Sequence, residues 1–263
     1  MSNKIEEIVI PENEYFDNLG INSSEFSVLA LSVYKANFDF INKYKKGKIL
    51  EIGCGSDSVI QEKINSNWHG IDVAKKDRHG KPSLASKFGS VHDIPYDSGL
   101  FDYVISNQSI EHWYEYNIEF LDAFKEINRV TKINGYFIFN FPIHLHGHKY
   151  FVLNKLSEIN KKLVSSGFEI ENIKKFTFKN KNYEGWLKCG FPTLYLKMFS
   201  PDFQKTSFIM EYKIKKIENI YNSNDRSNLH KKKLQKSKSR LSKRLHHGLL
   251  VLLYNIIKKI LKW

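Results

Sequence analysis

Residues 48–59, KILEIGCGSDSV, read as a short buried strand that runs directly into a glycine turn. Gly53 and Gly55 let the backbone adopt conformations closed to other residues and let a ligand approach closely, while a helix following the turn would present unpaired N–H groups to an anionic group. Alone, the same G-x-G is equally the mark of a tight strand-to-helix turn that holds nothing.

Working outward, residues 25–45 carry apolar positions at helical spacing and stop at Gly47, so a helix leads into the opening strand. Downstream, NWHGID, FGSVHD, FDYVISN and GYFIFNF read as strands two to five, with amphipathic stretches at 57–65 and 117–131 between some of them. Residues 73–87 are polar and weakly patterned, which suits a loop or short helix. Residues 149–166 suit a helix, and EIENIKKFTF and SFIMEYKIKKI read as strands six and seven. Alternation of this kind predicts an α/β domain whose mainly parallel sheet is covered by helices on both faces. The spans expected are an N-terminal extension (1–24), a ligand-binding domain (25–220) and a separate tail (226–263).

Composition narrows the class. Hydrophobic residues at 41% and charged residues at 26% of 263 are ordinary for a folded globular chain. Cys54 and Cys189, the two cysteines, lack metal-ligand spacing, which argues against a disulfide framework or structural zinc and fits a reducing cytosol. The acidic N-terminus does not resemble a secretory signal. Net charge is +13, but Arg226–Trp263 holds 12 of the 41 Lys and Arg and none of the 28 Asp and Glu. The body is nearly neutral and lacks the charge of a duplex-binding groove, so no specific nucleic acid is expected.

Two carboxylates give the glycine turn a ligand. Asp72 ends strand two, where it can accept from both hydroxyls of a ribose, as in dinucleotide sites. Asp93, in SVHDIPY, is a separate acceptor at the same sheet edge, suited to an adenine amino group. In order and spacing, ILEIGCGSD, GIDVA, VHDIPYDSGLFDYVISNQSIEHW and FLDAFKEINRVTKINGYFIFNFP resemble the class I S-adenosylmethionine-dependent methyltransferases, in particular those acting on small molecules and quinone precursors. The resemblance covers about residues 25–175. It implies a Rossmann-like, doubly wound, seven-stranded, mostly parallel sheet and S-adenosylmethionine as cofactor. It further implies that Glu51, Gly53 and Gly55 surround the methionine part, that Asp72 takes the ribose, that Asp93 and Ile94 border the adenine, and that Asn107 and Gln108 lie near the methionine moiety and reacting methyl. Asp57 departs from the pattern where a third glycine is common. A methyl donor has no pyrophosphate to press against the helix, so the departure counts mainly against a dinucleotide.

Methyl transfer is an in-line displacement at a sulfonium, so the protein aligns the acceptor and removes its proton if it is a hydroxyl. His112 follows strand four. His144, His146 and His148, in FPIHLHGHKY, follow strand five, and in an extended segment their side chains would share one side. His112 suits either a structural place under the cofactor or catalysis; the loop histidines suit a base, a metal-ion set or solvated positions. With no carboxylate ligand obvious beside them, no metal is expected, and the candidate catalytic residues are His146, foremost, with His112 and His144. The aromatics of YEGWLKCGFPTLYLKMF (183–199) would either cap a small acceptor or pack in the core.

The tail supplies the last expectation. HKKKLQKSKSRLSKR is polybasic, and GLLVLLYNIIKKILKW places Leu249, Leu253, Ile256, Ile257, Ile260 and Trp263 on one helical face. Too short to span a bilayer, this basic amphipathic helix suits an anionic membrane surface through residues 230–263, with a partner helix or RNA as alternatives. FPIHLHGH is also similar to a segment of bacterial surface-polysaccharide methyltransferases. Together these point to an enzyme, cytoplasmic and peripheral at the inner membrane face, that O-methylates a sugar or other small or lipid-linked acceptor. A quinone-type or lipid hydroxyl is the alternative acceptor, and a catalytically silent membrane or RNA tether the alternative of another class.

Overall fold

The structure, a computed structural model, describes residues 5–10, 36–37, 39–58, 60–61, 67–77, 79–178 and 208–220. All of them fall in one compact unit, Met1–Ile220; a second unit, Tyr221–Trp263, lies outside the described residues. The expected basic amphipathic helix and the aromatic segment 183–199 therefore also lie outside them. Among the described residues no helix is long and apolar enough to cross a membrane.

Among the described residues, eight strands form one sheet: β1 (Ile5–Ile10), β2 (Ile49–Ile52), β3 (Trp68–Asp72), β4 (Lys87–Phe88), β5 (Phe101–Asn107), β6 (Thr131–Ile143), β7 (Phe168–Phe178) and β8 (Phe208–Lys216). Their order is β1-β7-β8-β6-β5-β2-β3-β4. Only β8 is antiparallel, to both β6 and β7. β2 is buried at all four positions, as a strand covered on both faces requires. From β2 the chain winds outward through β3 and β4, then crosses back to β5 and β6 on the other side, so the carboxyl ends of β2 and β5 flank the switch point where such sheets bind ligands.

The expected count of seven strands is corrected to eight. Residues 5–10, expected in an extension, add β1 parallel to β7, from Ile5 opposite Ile173 to Ile10 opposite Phe178. The edge of β7 supplies a ladder for that short segment, which buries little of its own surface. The expected third strand is also shorter. It stops at Phe88, where Pro95 lies against Gly89 and a turn closes on the Asp93 N–H to Ser90 carbonyl bond at 2.9 Å.

Helix α1 (Phe120–Val130) buries Phe120, Ala123, Phe124, Ile127 and Val130, a stripe at helical spacing set against Phe137, Phe139 and Phe141 of β6. It passes into β6 without a loop. Its last carbonyls are covered from β8, where the buried Lys216 Nζ donates to Asn128 O at 2.6 Å and Thr131 O at 2.7 Å. The expected helix over 149–166 is two pieces, α2 (Lys149–Val152) and α3 (Leu156–Val164), separated at Asn154, whose φ of 51° is left-handed.

Candidate active site

A cavity of about 250 Å³ opens at the carboxyl ends of β2, β3 and β5, with Gly53, Asp72, Val91, Gln108 and His112 in its wall. The glycine turn forms its floor. Gly53 and Gly55 have φ of 68° and 62°, so both use the left-handed region that glycine permits. A Cβ on Gly53 would collide with the Ser109 side chain, whereas one on Gly55 would meet nothing within 4 Å, leaving open space above that turn. Asp72 ties the turn to the end of β3: its Oδ2 accepts from the Gly55 N–H at 3.0 Å and its Oδ1 from the Ala74 N–H at 2.9 Å. Asp72 also lines the cavity.

Glu51 lies one layer deeper. Its buried carboxylate accepts from Ser58 Oγ at 2.6 Å and Trp68 Nε1 at 2.8 Å, while Asn107 Nδ2 approaches its other oxygen at 3.5 Å. Burial raises its pKa and these donors oppose the rise. From Asn107 an amide row crosses the strand ends: Asn140 Nδ2 donates to Asn107 Oδ1 at 2.6 Å, and Gln108 Nε2 donates to Asn140 Oδ1 at 2.7 Å. Gln108 has a left-handed φ of 48° and is held by its N–H to the Asn140 carbonyl at 3.1 Å. Gln108 lines the cavity, and its buried Oε1 has no hydrogen-bond partner among the described residues.

Asp93 and Ile94 are not in that wall; Gly89 and Val91 of the same loop are. Ile94 is fully buried, its N–H donating to Glu126 Oε1 at 2.9 Å and its carbonyl accepting from Arg129 Nη2 at 2.9 Å. Those bonds anchor the loop to α1. Cys54, beneath the turn, has its thiol pushed up to about 12 by burial, with Glu51 and Asp72 adding to the rise, which removes it as a nucleophile.

The histidines separate. Residues 144–148 form a bend, not an extended segment, because His144 (φ 62°) and Gly147 (φ 92°) are left-handed and break the alternation. His144 turns into the core, fully buried, with Nδ1 donating to the Val152 carbonyl at 2.9 Å and its ring edge against Phe208. It is therefore corrected from a candidate base to a structural residue. His148 caps α2, accepting from the Tyr150 N–H at 3.2 Å.

His146 alone of the three reaches His112. Their rings stack with centroids 5.0 Å apart. Between them lies Glu111, which is not among the candidates named above. Glu111 sits in the 3₁₀ helix Ile110–Tyr116, has a fully buried side chain, and places Oε1 3.9 Å from His146 Nε2 and 4.0 Å from His112 Nε2. Neither carboxylate oxygen has a hydrogen-bond partner among the described residues. Burial pushes its carboxyl up to about 8, its own backbone N–H offsetting that in part and Glu115 adding to it. Burial, reinforced by His112, lowers His146. The loop is held down on this carboxylate. The His148 N–H donates to the Glu111 carbonyl at 3.0 Å, and a Cβ on Gly147 would stand 2.6 Å from Glu111 Cβ.

Residues 50–139 match the methyltransferase domain family. A search of curated proteins gave no match. Similar solved structures include geranyl diphosphate C-methyltransferase from Streptomyces coelicolor A3(2) with Mg2+, geranyl diphosphate and S-adenosyl-L-homocysteine (12% identity, 72% of this chain and 80% of that one, TM-score 0.44). The YcgJ protein from Bacillus subtilis is another (14% identity, 72% and 98%, TM-score 0.45). The family match spans the glycine turn, Asp72, Asn107, Gln108 and the Glu111–His112 pair in one run, so this third of the chain is similar to a methyltransferase domain, with S-adenosylmethionine as the cofactor.

Proposed function

We propose that this methyltransferase transfers the methyl group to a hydroxyl of a sugar or another small or lipid-linked acceptor. The observation that carries the reading is the meeting of Glu111, His112 and His146, with His112 in the wall of the cavity that Asp72 and Gly53 line. A hydroxyl is a poor nucleophile until its proton is lost, and a cluster of imidazoles and a carboxylate at that rim is chemistry a hydroxyl acceptor needs. In this reading Asp72 takes the ribose, Gly53 and Gly55 let the methionine part approach, and the Gln108 acceptor faces the cofactor's ammonium. Asp93 serves the adenine end from the loop that Ile94 anchors.

Radiolabelled methyl transfer from S-adenosylmethionine to a panel of sugar nucleotides, lipid-linked sugars and quinone-type phenols tests this, with the methyl position read by mass spectrometry and NMR. Label on oxygen is expected; label on carbon or nitrogen would overturn it. With the accepting hydroxyl, His146→Gln should lower turnover ~10²-fold while cofactor affinity stays close to the parent value. Near-parent turnover would show that alignment alone carries the reaction.

The tail supports a membrane location, through the basic and apolar faces of residues 230–263. In vesicle flotation the full chain should bind anionic lipid, a chain ending at residue 225 should not, and high salt should weaken attachment only in part, because it screens the lysines and arginines but not the apolar face. Salt-sensitive capture by RNA without flotation would decide for nucleic acid instead.

A further inference from the structure

We propose that Glu111, His112 and His146 form a binding site for a divalent transition-metal cation of the Zn2+ type at the rim of the cofactor cavity. The proposal rests on the reading of this rim as the place of the acceptor hydroxyl, and it specifies how the cluster acts there. One Glu oxygen and one nitrogen from each imidazole all lie within 4.8 Å of one another. Ligands bound at about 2.0–2.2 Å around one ion stand somewhat closer than that, so small side-chain rotations close the set.

Three further features favour a cation. First, Glu111 is fully buried, places Oε1 toward both imidazoles, has neither oxygen hydrogen-bonded, and has no ion pair with a lysine or arginine among the described residues. An ionised carboxylate in that position carries a large desolvation cost that a bound cation removes. Second, His112 is oriented from behind. Its Nδ1 donates to Glu115 Oε1 at 2.7 Å, which fixes the tautomer that leaves Nε2 with a lone pair toward Glu111 and His146. A carboxylate on the far nitrogen is the usual outer support of a metal-binding histidine. Third, the other two ligands come from separate segments pinned together by the His148 N–H to Glu111 carbonyl bond and by the close approach of Gly147. The cluster is thus a built feature of the fold.

Two imidazoles and a carboxylate select a Zn2+-like ion over Mg2+ or Ca2+, which prefer oxygen ligands. Three protein ligands leave a position open, and the two histidine side chains are 39% and 40% exposed, so that position faces the rim. An acceptor hydroxyl bound there would lose its proton to solvent water more readily. The resulting oxygen anion attacks the methyl carbon, the carbon–sulfur bond breaks, and neutral S-adenosylhomocysteine leaves.

The test needs no acceptor and no turnover. Calorimetric titration of the metal-stripped full-length protein with Zn2+ should show one saturable site. Glu111→Gln and His146→Gln should each weaken it at least 10-fold, and S-adenosylmethionine titration of the same samples reports separately whether the fold and the cofactor site persist. Should Glu111→Gln fail to fold, the half-exposed His146 decides alone. Absence of a stoichiometric site, or equal Zn2+ affinity in the parent and the His146→Gln protein, would overturn the proposal whether or not the protein methylates a hydroxyl.

Discussion

Arg129→Met is expected to lower the folding stability by about 3–5 kcal/mol, the cost of breaking a buried ion pair from one side. The guanidinium of Arg129, at the end of α1, is 4% exposed and has every nitrogen engaged. Nε and Nη2 grip both oxygens of Glu126 at 2.9 and 2.8 Å, and Nη2 also donates to the Ile94 carbonyl at 2.9 Å. Nη1 donates to the Tyr96 carbonyl at 2.8 Å and to Ser98 Oγ at 3.3 Å. Methionine fills much of the volume but strands two loop carbonyls and leaves Glu126 as a buried anion. Glu126 also accepts the Ile94 N–H at 2.9 Å, so the damage reaches the loop that carries Gly89 and Val91 into the cavity wall. Denaturant unfolding measures the loss. The double change Arg129→Met with Glu126→Leu should recover part of it, because the uncompensated charge goes with its partner. A drop below 1 kcal/mol in the single variant would place the pair with ordinary surface bridges.

Asp72→Ala should weaken S-adenosylmethionine binding by about 2–4 kcal/mol, roughly 30- to 1,000-fold. The carboxylate holds the Gly55 and Ala74 N–H groups and Asp72 lines the cavity, so its removal loosens the glycine turn and deletes the acceptor proposed for the ribose hydroxyls. Asp72→Asn keeps one oxygen acceptor and most of the shape; it should fall between the two. Calorimetry on the three proteins decides, and an unchanged dissociation constant in Asp72→Ala would remove Asp72 from the cofactor site. Stability should change less than affinity, since Asp72 lies at a strand end and not in the packed layer around α1.

The place of the cavity at the carboxyl ends of β2 and β3 was legible in the chain itself. A buried strand, two glycines and an acidic residue at the end of the next strand are local signals, because strand periodicity sets which side chains are buried and a left-handed turn demands glycine at Gly53 and Gly55. The parallel core of the sheet follows from the same alternation of strand and helix patterns. Three things were decided only by tertiary structure. The segment Ile5–Ile10 leaves most of its apolar surface exposed and becomes a strand because β7 supplies the ladder beside it. The run of three alternating histidines promised a shared face, but left-handed backbone at His144 and Gly147 sends His144 into the core, His148 to a helix end and His146 to the rim. Last, Glu111 meets His146 across 35 positions of chain, because a main-chain hydrogen bond and a glycine too close for any side chain press one loop onto the other. Residue types announce what a site can do; which of them share one site depends on backbone dihedrals and long-range hydrogen bonds that side-chain patterns do not encode.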